Sequence, residues 1–190
     1  MRSKAEVLIV VATTVELEAV LSTFSPGRDV RPTQIAGRWY FDLGRINGTQ
    51  APWWTRITGP RVVVTLSEMG TATIGGSLPT VLEGIRDFQP KAVIGVGIAF
   101  GMDEGDQVIG DVLVSTQLFM YEPSKVGTDP EGPVIFHRGD ISHAPRRLIT
   151  LMRVADLGWK PARVQFGLFV TGEKLIDNRE FRDKQLVSRV

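Results

Sequence analysis

Three glycines in the apolar run VIGVGIAFG, at Gly95, Gly97 and Gly101, are spaced G-x-G-x-x-x-G. This is close to the loop that brings a backbone against the pyrophosphate of a dinucleotide. That chemistry needs the loop to open straight into a helix whose N-terminus faces the phosphates, with an acidic residue about 20 positions further on. Here MDEGDQVIGDVLVS follows, a polar turn and then another extended run, and the motif lies on a late strand instead of the first. A dinucleotide loop is set aside, which leaves the glycines either a close crossing of backbones in a sheet or the approach of the chain to another small ligand. Few other residues invite chemistry. Glu16 stands at the start of a helical stretch, where the helix dipole favours a carboxylate. His137 and His143 lack a third ligand at useful spacing and read as solvated, so no metal is expected. Arg146 and Arg147 in HAPRR open a helix and read as surface charge. The absence of cysteine excludes thiolate nucleophiles, disulfides and Cys-ligated zinc.

These residues must be positioned by an alternation of strands and helices. Residues 7–12 (VLIVVA) form a β-branched run of the kind buried on both faces, and residues 15–23 read as a helix, with helical spacing at Val15, Ala19, Val20 and Phe24. Residues 25–60 are rich in Gly and Pro and predict a hairpin region with a strand over 39–43; Trp53 and Trp54 there form an aromatic pair for the core or for another subunit. RVVVTL at 61–66 is a second buried strand. GTATIGGSLPTVLEGIRDF at 70–88 predicts its helix, weakened by Gly75, Gly76 and Pro79. Residues 91–96 are a third strand, and two further extended runs are expected at 107–115 and 117–121. A polar excursion over 122–143, a helix over 145–155 and a strand over 163–170 complete the pattern. The class is α/β: three layers, with a mixed, twisted central sheet flanked by helices.

With 190 residues the chain fits a single domain able to bury a core without a staple. Net charge is +1 and neither sign is segregated, so no nucleic-acid footprint exists. The basic start and short apolar run fail as a signal peptide, because Thr13, Thr14, Glu16 and Glu18 follow at once. No stretch has the length of a membrane span. A soluble, cytoplasmic protein with a small, nearly uncharged partner is expected.

The ordered set of strand, MGTA turn, helix, strand, glycine turn and GDVLVS strand resembles the nucleoside phosphorylase and methylthioadenosine/S-adenosylhomocysteine nucleosidase superfamily. LIVVATTVELEAVL resembles its opening unit, and FGLFVTGEKLIDNREFRD its G-x-x-V-S-G-(D/E) strand and base-binding turn. With FMYEPSK at 119–125, the match is to the branch found as a domain in larger bacterial and fungal proteins. The resemblance spans nearly the whole chain. It implies a nucleoside phosphorylase-like fold and a purine nucleoside or nucleotide as ligand, with no cofactor. By motif it places Gly97, Ile98, Ala99 and Phe100 against the purine and ribose, Met69 and Gly70 at the ribose side, and Leu175 and Ile176 at the base edge, with Asp177 beside them. Ile98 and Phe100 stand where the family often has small or polar residues.

Cleavage of an N-ribosidic bond passes through an oxocarbenium-like sugar, which calls for an activated nucleophile on one side and protonation of the leaving purine on the other. The resemblance gives Glu16 the first task, orienting and deprotonating water. Asp177 is the acidic residue nearest the base turn, where it also serves as an ordinary turn or cap residue. Phosphorolysis needs an arginine-built phosphate site; no Gly-Asp-Pro-x-Arg-like segment follows the first strand, and no arginine stands beside SEMGTA, so hydrolysis is favoured. The family's late E-M-E and S/C-D motifs are absent from the 190 residues. The expectation is a domain lacking its C-terminal portion, which self-associates, as a homo-oligomer or within a larger protein, or has weak order near its carboxyl end. A binding module without turnover is the alternative from another class.

Overall fold

The run VLIVV forms β1 (Val7–Val11), and its residues alternate between two apolar faces. β1 pairs in parallel with β4 (Arg61–Leu66) on one side and β5 (Ala92–Gly95) on the other. A hairpin of β2 (Pro32–Ile35) and β3 (Arg38–Arg45) extends the sheet beyond β4, antiparallel, to give the order β2-β3-β4-β1-β5. Ile9, Val11, Leu43, Val62 and Val64 pack on one face with Leu17 and Val20 of α1 (Thr14–Phe24). Leu8, Val10, Tyr40 and Val63 pack on the other with Ala5 and with Phe88 of α2 (Ser77–Phe88). Each fully buried aliphatic side chain contributes roughly 1.5–3 kcal/mol, so the central strands anchor the layers. The fold class read from the sequence, a mixed sheet flanked by helices, holds.

The computed structural model describes residues 4–46, 59–102, 105–129 and 132–173. By its internal contacts the chain divides into two units, Met1–Ile98 and Ala99–Val190. The first holds the five-stranded sheet. In the second, β6 (Val112–Met120) pairs in parallel with β10 (Val164–Thr171) and antiparallel with β9 (Ile141–His143), while β7 (Ser124–Asp129) and β8 (Gly132–His137) form a separate hairpin. α3 (Arg146–Gly158) precedes β10 and contributes no buried residue. Gly139 is obligatory, since a Cβ there would overlap the carbonyl oxygen of Met120, 1.5 Å away.

Several boundaries differ from the sequence expectation for physical reasons. On α1 the buried side chains are Leu17 and Val20, whereas Val15 is 67% exposed; the start of the helix is set one residue earlier by a capping box at Thr13. The helix expected over 70–88 begins only at Ser77. Residues 67–76 are a loop, and Pro79 is accommodated in the first turn, where its missing N–H has no intrahelical partner to lose. The strand expected over 107–115 does not start until Val112: residues 108–111 form a turn in which Asp111 Oδ2 accepts from the Val108 N–H (3.1 Å) and Gly110 takes φ +103°. Both expected extended runs are therefore one strand, β6. Part of the polar excursion over 122–143 is ordered as the β7–β8 hairpin and β9.

Candidate functional site

Parallel strands β4, β1 and β5 end side by side at Leu66, Val11 and Gly95, so the turns leaving them share one edge of the sheet. In an open α/β sheet this carboxyl edge is where ligands bind. Hydrogen bonds fasten the turns to the strand ends. Ser67 donates both its N–H (2.8 Å) and its hydroxyl (3.2 Å) to the carbonyl of Val11, and the Val96 N–H donates to Val10 (3.0 Å).

Glu16 lies in the first turn of α1, directly after β1. Its Oε2 accepts the N–H groups of Ala12 and Thr13, each at 2.9 Å, while the Thr13 hydroxyl accepts from the Glu16 N–H at 3.3 Å. This reciprocal pair is a capping box. The T-x-x-E spacing of Thr13 and Glu16 carries that signal in the sequence. One further bond is foreign to any helix cap: Oε1 accepts the N–H of Ile98, 82 residues away, at 3.1 Å. Burial of the carboxyl raises its pKa, but the N–H groups of Ala12, Ile98 and Thr13 together outweigh this, and the pKa is held below the ordinary glutamate value. Glu16 is an anion at neutral pH. A carboxylate offers about four acceptor positions. Among the described residues, two on Oε2 and one on Oε1 are occupied, and the position left over is on Oε1.

Gly97 stands where the β5 turn passes this carboxylate. A Cβ on Gly97 would come within 3.2 Å of Glu16 Oε1, so the glycine permits the close approach that brings the Ile98 N–H into reach. The side chain of Ile98 is 82% exposed, and its contribution to the contact is the backbone amide.

Met69 and Gly70 belong to the loop between β4 and α2. Gly70 adopts φ +97°, a conformation side chains disfavour. Backbone bonds close the loop on itself: Glu68 N–H to Gly75 O at 2.7 Å, Ser77 N–H to Gly70 O at 3.0 Å and Leu78 N–H to Thr71 O at 3.0 Å. Gly76 is the N-cap of α2; a Cβ there would stand 2.7 Å from the Gly70 carbonyl oxygen and 2.9 Å from that of Thr71. The Met69 side chain is 80% exposed.

The first unit thus brings Glu16, Gly97 and Ile98 into contact and places Met69 and Gly70 on a turn of the same sheet edge. Ala99 and Phe100 open the second unit, and Phe100 is 81% exposed. Leu175, Ile176 and Asp177 lie outside the described residues, as do Trp53 and Trp54. Both histidines have partners: His137 Nδ1 lies 2.7 Å from the carbonyl of Tyr121, and His143 Nδ1 lies 3.3 Å from Gln117 Nε2. Among the described residues no cluster of three potential metal ligands occurs.

A family profile described as the phosphorylase superfamily matches residues 6–183. The chain belongs to this superfamily. No curated protein matches it significantly. Among solved structures, it is similar to the futalosine hydrolase of Helicobacter pylori strain 26695, with 20% identity and a TM-score of 0.66 over 98% of this chain and 75% of that one. It is also similar to the Helicobacter pylori 5'-methylthioadenosine/S-adenosylhomocysteine nucleosidase in complex with butyl-thio-DADMe-Immucillin-A, with 19% identity and a TM-score of 0.68 over 97% and 72%. The nucleosidase of Neisseria meningitidis in complex with methylthio-immucillin-A gives 22% identity and 0.66 over 98% and 73%. At these identities the likeness establishes a shared superfamily fold. No helix among the described residues is long and apolar enough to cross a membrane.

Proposed function

We propose that the chain is an N-ribosyl hydrolase domain that cleaves the glycosidic bond of a purine, adenine-type nucleoside or nucleotide, with Glu16 as the group that orients and deprotonates water. The observation that carries this reading is the Glu16 carboxylate, fixed by three N–H groups at the carboxyl edge of the sheet and ionised, with one acceptor position on Oε1 that no described residue fills. A water donating there is held by a base that cannot turn away. Its oxygen adds to the anomeric carbon as the carbon–nitrogen bond breaks, its proton passes to Glu16, and the departing purine takes a proton from a separate acid. Gly97 and the Met69–Gly70 turn supply backbone surface for the sugar, and Leu175 and Ile176, with Asp177, are assigned to the base. Two of the solved structures it resembles hold immucillin-type nucleoside analogues, which supports a ligand of that class.

Hydrolysis is favoured over phosphorolysis by the state of Arg38. Its guanidinium reaches the carbonyl of Ile74 in the β4–α2 loop, but it is engaged with Glu83 and Thr80 and its side chain is only 14% exposed. Free adenine released from adenosine-type substrates without phosphate is the expected result, with little or none from Glu16→Gln. Undiminished turnover in that variant sinks the assignment. Product appearing only with phosphate, as ribose 1-phosphate, replaces it by phosphorolysis, and adenosine binding without any product replaces it by a sensing module.

A further inference from the structure

The β4–α2 loop, residues 67–76, holds itself in shape with backbone bonds and is tied to β1 at its start through Ser67, while its far end is reached by a side chain from a distant hairpin. Arg38, the first residue of β3, donates from Nε to Glu83 Oε2 (2.5 Å), from Nη1 to the Thr80 hydroxyl (2.7 Å) and from Nη2 to the carbonyl of Ile74 (3.4 Å). Thr80 is fully buried, and its hydroxyl in turn donates to the carbonyls of Gly76 (2.7 Å) and Gly75 (3.3 Å). A planar guanidinium presents its N–H groups in a fixed fork, so three acceptors on one helix and its preceding loop are held at fixed relative positions. The acceptors come from the end of the loop and from the first two turns of α2. From there the bonds of Ser77 to Gly70 and Leu78 to Thr71 lead directly to the Met69–Gly70 turn.

We propose that Arg38 is a positioning residue for substrate binding: through Thr80, Glu83 and Ile74 it sets the loop that presents Met69 and Gly70 to the sugar. The proposal rests on the hydrolase reading for the identity of the ligand, and on geometry alone for the control of the loop. In this role Arg38 acts through its protein partners. Its effect falls on binding more than on the chemical step, because Glu16 is held by the separate contacts of Ala12, Thr13 and Ile98.

Amide hydrogen exchange and steady-state kinetics on Arg38→Ala, Arg38→Lys and Thr80→Val separate the possibilities. In Arg38→Ala the amides of Glu68, Gly76, Ser77 and Leu78 are expected to exchange about tenfold faster or more, with those of β1 unchanged. KM for adenosine is expected to rise about tenfold while kcat changes by less than about threefold. Lysine, a point charge without the fork, is expected to restore part of the loss. Thr80→Val, which keeps the buried shape and removes the shared hydroxyl, should reproduce the loop exchange and decides the matter if Arg38→Ala does not fold. Unchanged loop exchange overturns the proposal, as does acceleration spread evenly over the first unit, which marks a merely structural arginine. If the wild-type chain releases no adenine, the hydrolase reading fails, and loop exchange still decides the role of Arg38.

Discussion

At the scale of single residues, Glu16 carries both charge and geometry. If Glu16 is the base proposed above, replacement by glutamine is expected to lower adenine release by about 10²–10⁴-fold, measured as free adenine under saturating substrate. The pH dependence follows from the lowered pKa. Since the folded value lies below the unfolded one, the ionised form and the stability it confers are present above the unfolded pKa and are lost as pH falls through the folded pKa. The acid limb of kcat/KM due to Glu16 is therefore expected below the ordinary glutamate range; a limb near neutrality that disappears in Glu16→Gln would contradict an ionised base. Thr13 supports the same site from the other side of the cap. Thr13→Ala is expected to destabilise the fold by about 1 kcal/mol in denaturant titration, since it leaves the Glu16 N–H without its hydroxyl acceptor. Glu16 was legible in the sequence as an acidic residue just past the first strand. The bond from Ile98 was not, because a backbone amide 82 residues away has no residue type to announce it. Arg38 escaped notice for a related reason: it stands in a hairpin region of Gly and Pro, and its partners Thr80 and Glu83 look like ordinary helix residues until the strands are placed.

At the scale of elements, the buried strands were readable because β1 and β4 are covered on both faces and so are continuously apolar. Turns were harder. Residues 70–76 run without a break into the helical stretch that follows, yet Gly70 at positive φ and the tight contacts at Gly76 fix them as a loop. Packing of α2 on β1 turns on one small residue. Gly84 faces Leu8, where an added Cβ would lie 2.5 Å from Leu8 Cδ2, and Leu8 is fully buried. Leu8→Ala is expected to lose about 2–5 kcal/mol through the cavity it leaves. Gly84→Ala alone is expected to destabilise by about 1–3 kcal/mol through overpacking, despite the better helix propensity of alanine. Combined, the two are expected to cost less than their sum, because the new methyl group enters the space Leu8 vacates. Strict additivity in urea unfolding would show that helix and strand do not meet as described.

At the scale of the whole molecule, the two units are unlike in how they exclude water. Of the buried apolar side chains among the described residues, all but Tyr121 belong to Met1–Ile98. Strands β6 and β10 are mostly half-buried, and α3 exposes Leu151, Val154 and Leu157. Hydrogen exchange should follow this contrast, with amides of β1 the slowest and those of α3 and β10 faster by an order of magnitude or so. Equal protection of β10 and β1 would show that the second unit's apolar surface is covered in solution. The apolar periodicity of α3 and β10 made these elements visible in the sequence, but periodicity reports which face is oily and not what lies against it.

One carboxylate, that of Glu16, closes the start of α1 and also ties the turn after β1 to the turn after β5. A glutamine in its place would set an NH₂ group against at least one of the N–H donors now satisfied, so the charge cannot be discarded without loosening two connections at once. A relative that binds a ligand without turnover would be under the same pressure to keep this glutamate for its architecture. Finding it in a distant relative therefore identifies the joint between the first and third parallel strands, and only an assay tells whether the joint also works as a base.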